Sequence, residues 1–280
     1  MSANTELIDA YRAWLVAGNR AAGTVRLRTH YIARLADAHN LATVDALELL
    51  TWIAAPEWAG ETRKSARASL AGFFNWAHDW GHRADNPARQ LPRVIVPRTL
   101  PKPTPATVLA TALATASARD RLMVMAGAHA GMRRAEIARM RWADVDEGRL
   151  RVTGKGGRVR VVPLADRFAR SLRAERARRL RGIVGTGWRY APDPSSPYVF
   201  PGARGVAHMH PETVGAVLKR LLGDQWTGHT LRHRFATAAY AGTRDLRAVQ
   251  ELLGHASPVT TQRYVAISDD ALRAAAMAAA

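Results

Sequence analysis

A proline-rich segment about one third of the way along the chain constrains its fold more than any other feature. Residues 91–105 read LPRVIVPRTLPKPTP and contain five prolines. Proline lacks a backbone N–H and biases the preceding residue toward extended structure, so neither a long helix nor a central strand can run through this segment. We therefore predict an interdomain linker at 91–105, between domains at 1–90 and 106–280. A long surface loop within one domain is the alternative.

The residues before the linker are predicted to form an all-helical bundle. Apolar residues recur at helical spacing around 7–15, 27–35, 44–53 and 70–80. Basic residues lie on the polar faces of these helices, where they are candidates to line DNA, although an ordinary solvated helix face explains each of them equally well. These residues are Arg26, Arg28, Arg34, Arg63, Lys64 and Arg67.

The second domain is predicted to be mostly helical, with one small β-hairpin. Residues 149–164, RLRVTGKGGRVRVVPL, alternate apolar and basic residues on both sides of a glycine-rich turn near 154–157. This pattern is typical of two antiparallel strands. The alanine-rich end, residues 271–280, favours a short terminal helix. We therefore expect a mainly α protein, in which a helical bundle precedes an α+β domain.

Charge and composition narrow the classes of function. The chain has 41 Lys and Arg against 23 Asp and Glu, a formal net charge of +18, which suits a polyanion such as DNA or RNA. An anionic membrane surface fits less well, because the basic residues are spread over many elements and no apolar segment is long enough to span a bilayer. Glu6 and Asp9 stand where a secretory signal would be basic, so we expect a cytoplasmic location. The absence of cysteine excludes disulfides, cysteine zinc sites and thiol nucleophiles.

The segment HTLRH at 229–233 is the first candidate for chemistry. His229 and Arg232 are three residues apart, so on a helix they share a face and direct a titratable group and a permanent cation to one spot. A zinc site formed by His229 and His233 is the alternative. It lacks the glutamate of a metalloprotease helix and would need a third ligand from elsewhere.

Other candidates are unremarkable when each is taken alone. Lys155 lies on the predicted hairpin turn, whose GKGG sequence lacks the spacing of a nucleotide-binding P-loop. Arg133 is predicted to begin a helix after a turn at Gly131, with Glu136 one turn further on. Near the end of the chain, LGH at 253–255 is followed nine residues later by Tyr264.

Together these motifs resemble the catalytic boxes of the tyrosine recombinase, or integrase, family. AGMRRAEI, GKGGRVRVVPL, HTLRHRFAT and LGH followed by Tyr264 occur in the family's order and approximate spacing. The resemblance covers the region from Pro105 to Ile267. It extends more weakly to SARASLAGFFNWAHDWGHRADNPA at 65–88, which is similar to the end of the family's helical, SAM-like core-binding domain.

The resemblance implies a role for each matching residue. Arg133 and Arg232 would be the two catalytic arginines, and Glu136 the acidic residue that supports the first of them. Lys155 would be the hairpin lysine that protonates the leaving oxygen. His229 and His255 would be the remaining phosphate ligands, and the alternative is that one of them accepts the phenol proton. Tyr264 would be the nucleophile, with a 3′-phosphotyrosyl intermediate.

Two guanidiniums clamping a phosphate leave no necessary role for a metal ion, and a phosphotyrosyl bond conserves energy for resealing. We therefore expect neither a metal nor a nucleotide cofactor. The family implies double-stranded DNA sites and a homotetramer on DNA, with accessory directionality or host DNA-bending proteins as further partners. Because the bundle begins close to Met1, we do not expect an arm-binding domain ahead of it.

Several functions share such an active site. A phage or prophage integrase is our first interpretation. A Xer-like chromosome or plasmid dimer resolvase and a mobile-element recombinase are the alternatives within the family. A type IB topoisomerase and an inactive DNA-binding regulator are the alternatives outside it.

Overall fold

A computed structural model describes residues 3–55, 57–97, 101–188, 192–202, 207–254 and 277, with the side chain of Lys155 excepted. The chain divides into two compact units, Met1–Thr99 and Leu100–Ala280. This division falls inside the segment 91–105. Each unit has its own apolar core.

The first unit is the helical bundle that the apolar periodicity predicts. Its elements are α1 (Ala3–Ala17), α2 (Ala22–Ala36), α3 (Ala46–Ile53), α4 (Gly60–Asp79) and a short 3-10 helix at Pro87–Gln90. Helix α4 begins well before the apolar stretch around 70–80. That stretch therefore covers only the C-terminal half of the helix.

Aromatic packing and a helix cap explain the bundle locally. The rings of Tyr11 and Phe73 pack edge to face, 5.3 Å between centroids, and both side chains are buried. Asp45 caps α3 by accepting a hydrogen bond from the Glu48 N–H at 2.8 Å, while the Glu48 carboxylate accepts one from the Asp45 N–H at 2.8 Å. The ring contact joins the inner faces of α1 and α4, and the cap fixes the N-terminal end of α3.

The second unit is built around one buried helix. In chain order its helices are α5 (Ala106–Thr115), α6 (Ala118–Ala130), α7 (Arg134–Arg139), α8 (Asp166–Leu180), α9 (Pro211–Leu222), α10 (Gly228–Thr243) and α11 (Leu246–Leu253). Helix α6 is buried on nearly all sides, and α5, α8, α9 and α10 pack against it. From Leu122 to Ala128 this helix carries only apolar residues and glycine, as expected for a helix that is covered on all sides, while its charged residues lie in the first turn.

The predicted hairpin is confirmed, and a third short strand extends it. The strands are β1 (Val145–Asp146), β2 (Arg149–Thr153) and β3 (Val159–Pro163), antiparallel in the order β1-β2-β3. Leu150 lies opposite Val162, and Val152 lies opposite Arg160. Because opposed residues share a face of the sheet, Arg160 points toward the protein interior with these apolar side chains.

Within the described ranges, no helix combines the length and the apolar character needed to cross a membrane. The terminal helix predicted for 271–280 lies outside the described residues, except for Met277.

Candidate active site

A left-handed glycine shapes the turn that presents Arg133. Gly131 ends α6 with φ of 58°, and the Met132 N–H returns to the Ala126 carbonyl at 3.1 Å. A Cβ at position 131 would lie 2.5 Å from Cδ1 of Phe235, so both the backbone angle and the close packing require glycine. The turn places Arg133 at the N-cap of α7, as the sequence predicts.

The Glu136 carboxylate is the centre of a cluster of arginines. It accepts hydrogen bonds from the Arg133 N–H and from the Arg133 Nη1, both at 2.9 Å. Arg160 adds two more, from Nη1 at 3.1 Å and from Nη2 at 2.7 Å. The Arg232 Nη1 lies 3.9 Å from the same carboxylate.

The surroundings of Glu136 hold it in the ionised state. Burial by itself raises the pKa of this carboxyl group. The hydrogen bonds and charge of Arg160, the Arg133 N–H and the charge of Arg232 outweigh burial, so the pKa lies below its usual value. Glu136 is therefore an anion at neutral pH, available to orient the guanidiniums around it.

Helix α10 supplies both His229 and Arg232. Thr227 caps the helix by accepting a hydrogen bond from the His229 N–H at 3.2 Å. Arg232 is only 1% exposed, and its guanidinium donates to the Gly131 carbonyl at 2.5 Å and to the Leu253 carbonyl at 2.6 Å. His229 is exposed. Arg232 thus ties together α10, the turn before Arg133 and the end of α11.

His229 contacts His233 one turn further along α10. Their Nε2 atoms are 2.9 Å apart, so one imidazole donates a hydrogen bond and the other accepts it. No group of three or more potential metal ligands occurs among the described histidine and acidic residues. The described residues therefore supply no third ligand for the zinc alternative, and within this part of the chain His229 and His233 are hydrogen-bonded to each other.

A cavity brings three of the predicted site residues together. It measures about 740 Å³, and Arg133, His229 and Arg232 line it. Its other wall comes from α9, including Glu212 and Lys219. Two guanidiniums and an imidazole on one concave surface form a site suited to an anion with several oxygen atoms.

The remaining predicted site residues can be located only in part. Lys155 lies on the short 3-10 turn between β2 and β3, which agrees with the hairpin prediction for its backbone. Gly254 ends α11 in the left-handed region with φ of 63°, directly before His255 in the chain. His255 and Tyr264 lie outside the described residues.

The residues predicted to line DNA in the first unit have mixed surroundings. Arg63 donates to the Ile53 and Ala55 carbonyls, both at 3.1 Å, and Arg67 donates to the Pro92 and Leu91 carbonyls at 2.6 and 2.9 Å. These guanidiniums hold their own unit together, so the structure explains them without DNA. Arg28 is half-buried, and DNA contact at the exposed residues Arg26, Arg34 and Lys64 stays a prediction.

Sequence reasoning missed Arg160. The alternation of valine and arginine in the hairpin marks a strand but does not show which set of side chains faces inward. The sequence feature that comes closest to indicating the direction of Arg160 is the number of residues between Arg160 and the turn. That number sets the partner of Arg160 on β2, which is Val152.

Comparison with known proteins gives consistent matches in sequence and in fold. The model of the phage integrase family matches residues 104–270. The tyrosine recombinase XerC of Rhodospirillum centenum is 32% identical over 290 residues, which cover 96% of this chain and 80% of that protein.

Two solved structures share the fold at lower identity. A lambda integrase dimer bound to a COC′ core site matches with a TM-score of 0.71 and 18% identity, over 93% of this chain and 76% of that one. The XerH recombinase bound to a palindromic difH substrate matches with a TM-score of 0.69 and 22% identity, over 92% and 80% of the two chains.

Proposed function

Because this chain belongs to the phage integrase family of tyrosine recombinases, we propose that it cuts and rejoins double-stranded DNA at specific sites through a covalent bond to Tyr264. The observation that carries the site assignment is the cavity shared by Arg133, His229 and Arg232. The ionised Glu136 beside it supports the same assignment.

In this proposal the two arginines bind the scissile phosphate. In-line attack on a phosphodiester develops charge on the non-bridging oxygens, and positioned cations stabilise that charge. Arg133 uses one nitrogen, Nη1, and its backbone N–H on Glu136, which leaves other guanidinium donors for the phosphate. Arg232 is anchored to two carbonyls and supplies a charge that is already in place before DNA binds.

The covalent step transfers the phosphoryl group to Tyr264. The phenolic oxygen forms a bond to phosphorus, and the bond from phosphorus to the 5′ oxygen breaks. A histidine, His229 or His255, accepts the phenol proton, because at neutral pH roughly one tyrosine in a thousand is ionised unaided. Lys155 donates a proton to the departing 5′ oxygen. Attack by a second 5′-hydroxyl reverses these steps on another strand and needs no ATP.

The assembly we propose is a homotetramer on paired DNA sites, with accessory directionality or host DNA-bending proteins as further partners. The formal net charge of +18 suits binding to DNA. The neighbouring lambda integrase structure is a dimer bound to a core site, and the XerH structure is bound to difH DNA. The predicted helical domain at residues 1–90 would bind the core-type site together with the catalytic domain, 106–280.

Within the family we propose integration of phage or prophage DNA as the biological role. A second candidate is Xer-like resolution of chromosome or plasmid dimers, which the similarity to proteins named XerC favours. The two roles differ in the DNA that they join. An integrase recombines two sites of different sequence, whereas a dimer resolvase recombines two copies of one site.

A covalent trap tests the proposal. Wild-type protein and the Tyr264→Phe variant are incubated with EDTA on a pool of nicked duplexes from the source genome, and the DNA that stays attached after denaturation is sequenced. We expect adducts with the wild type alone, at one or a few sequences, together with equal DNA binding by the variant.

Other outcomes would identify another function. Tight binding to a known site without an adduct would indicate a DNA-binding regulator. Adducts spread over many sequences, with relaxation of any supercoiled plasmid, would indicate a type IB topoisomerase. Adducts with the Tyr264→Phe variant would exclude Tyr264 as the nucleophile.

A further inference from the structure

Arg160 is a buried arginine to which the proposed reaction gives no role. It lies on β3 with 9% of its surface exposed, on the inward face of the sheet opposite Val152. A charged side chain in the interior is costly unless it is paired. The group that pairs with Arg160 therefore indicates why a charged side chain is buried at this position.

The partner of Arg160 is the carboxylate at the centre of the site. Nη1 and Nη2 of Arg160 donate to Oε1 and Oε2 of Glu136, at 3.1 and 2.7 Å, so each carboxylate oxygen has its own donor. This bidentate geometry fixes the plane of the carboxylate as well as its position. The same Oε1 accepts the hydrogen bond from the Arg133 Nη1. The orientation of Arg133 thus depends on a carboxylate that Arg160 holds in place.

Arg160 also packs against the segments that lead to two other predicted site residues. A Cβ at Gly254, directly before His255, would lie 3.1 Å from Cδ of Arg160. A Cβ at Gly154, directly before Lys155, would lie 3.8 Å from Nη1 of Arg160 and 3.5 Å from Oε1 of Glu136. The contact at Gly254 is tighter than an ordinary Cβ contact, so glycine at this position allows the backbone to approach the Arg160 side chain closely, whereas the distances at Gly154 are those of ordinary van der Waals contact.

We propose that Arg160 is a positioning residue for DNA cleavage, which fixes the Glu136 carboxylate and thereby orients Arg133 toward the scissile phosphate. This inference rests on the proposed function. A positioning role differs from a purely structural ion pair in its consequence. Loss of a positioning residue lowers the reaction rate even of protein that is folded and bound to DNA.

The physical basis is the concentration of positive charge around one carboxylate. Among the described residues, the guanidiniums of Arg133, Arg160 and Arg232 all lie within 4 Å of Glu136. Without Arg160, one edge of the carboxylate loses its two donors, and the group can rotate away from Arg133. A lysine at 160 keeps the charge but cannot place two coplanar donors on two oxygens.

The test measures single-turnover cleavage of a nicked duplex that carries the recombination site, at saturating DNA. Two versions of the substrate have oxygen or sulfur as the 5′ leaving atom. For Arg160→Met we expect a cleavage rate roughly ten- to hundred-fold below wild type on both versions, because the phosphate clamp is misplaced. DNA affinity stays unchanged, and Arg160→Lys gives an intermediate rate.

A matched control separates this effect from loss of stability. Arg179 is also buried and pairs with Glu175, away from the cavity, with Nη2 3.5 Å from the carboxylate. We expect Arg179→Met to cleave at the wild-type rate per folded molecule, with the folded fraction measured by circular dichroism.

A double variant keeps the test decisive if Arg160→Met does not fold. Glu136→Gln combined with Arg160→Met removes both charges and leaves no unpaired carboxylate in the interior. If Arg160 acts through Glu136, the double variant cleaves at the rate of Glu136→Gln alone.

Three results would overturn the proposal. The first is a wild-type cleavage rate for Arg160→Met. The second is full restoration of its rate by the sulfur substrate, which would indicate that Arg160 acts in protonation of the leaving group. The third is a double variant that cleaves far more slowly than Glu136→Gln. Wild-type protein in the same assay tests the proposed function separately. If it forms no adduct, the proposed function fails and this inference fails with it.

Discussion

The guanidinium of Arg232 donates a hydrogen bond to the main-chain carbonyl of Gly131, with Nη1 2.5 Å from the oxygen. The two residues are 101 positions apart in the chain. This contact joins α10 to the turn that presents Arg133, so the two arginines of the cavity are held by one connected framework. They differ in exposure, however. The side chain of Arg133 is 44% exposed and that of Arg232 is 2% exposed.

The difference in exposure predicts different effects of alanine at the two positions. Arg133→Ala and Arg232→Ala should each slow DNA cleavage about a hundred-fold or more, as expected for loss of a transition-state donor. Only Arg232→Ala should also lower the free energy of unfolding, by about 3 kcal/mol, because it leaves buried carbonyls without a donor. Urea unfolding and single-turnover cleavage measure the two effects. Equal losses of stability would contradict the structural role of Arg232.

Glu136→Gln should destabilise the protein in a pH-dependent manner. The pKa of Glu136 in the folded protein is below the ordinary value of 4.5, so the unfolded state binds the proton more readily. The stabilisation from the ionised carboxylate is therefore complete above pH 4.5 and is lost as the pH falls through the folded pKa. We expect the variant to be less stable than wild type by about 3 kcal/mol at pH 7. Urea titrations between pH 3 and 7 should show this difference shrinking below about pH 4.5. A constant difference would be inconsistent with this account.

Gly131→Ala should be much more damaging than alanine at a comparable glycine. Gly148 has φ of 77°, and a Cβ at this position would have no neighbouring atom within 4 Å, so Gly148→Ala tests backbone strain alone and should cost about 1 kcal/mol. Gly131→Ala adds a collision with Phe235 and should cost roughly 3 kcal/mol in total. Thermal and urea unfolding measure both. Similar costs would show that Phe235 moves aside freely.

Lys155→Ala should slow cleavage by roughly a hundred-fold or more, because the departing 5′ oxygen loses its proton donor. A substrate with sulfur as the leaving atom should restore the rate, since a thiolate departs without protonation. Arg158→Ala provides the control, because Arg158 is an exposed basic residue of the same hairpin. It should cleave normally at saturating DNA. Failure of sulfur to rescue Lys155→Ala would remove Lys155 from the acid role.

His129 should make the stability of the protein depend on pH near neutrality. Burial and the charges of Arg167 and Arg234 lower its pKa below the ordinary value of 6.5. The unfolded state therefore takes up a proton at a higher pH than the folded state does, and stability falls as the pH decreases below about 6.5. The variant His129→Gln should lose less stability than wild type between pH 7.5 and 5, as measured by urea unfolding. An unchanged pH dependence of stability in His129→Gln would contradict this account.

The sequence by itself determined the features that depend on neighbouring residues. Apolar spacing located the first-unit helices, and the glycine-rich turn between alternating segments located the hairpin. The turn at Gly131 placed Arg133 at the start of a helix. These features are local, because helix periodicity, capping and turn geometry are governed by residues a few positions apart. The order of the motifs was sufficient to indicate the family.

Only the tertiary structure decided which side chains meet. On β3 the valines Val159 and Val161 face outward and Arg160 faces inward, although the alternation alone permits the opposite arrangement. Pairing with β2 sets the choice, since a shift of one residue would turn every side chain of the strand over. The same long-range packing buries Arg232 against Gly131 and commits Arg63 and Arg67 to carbonyls of their own unit. Charge identifies these arginines in the sequence, but their roles depend on partners that only folding brings within hydrogen-bond distance.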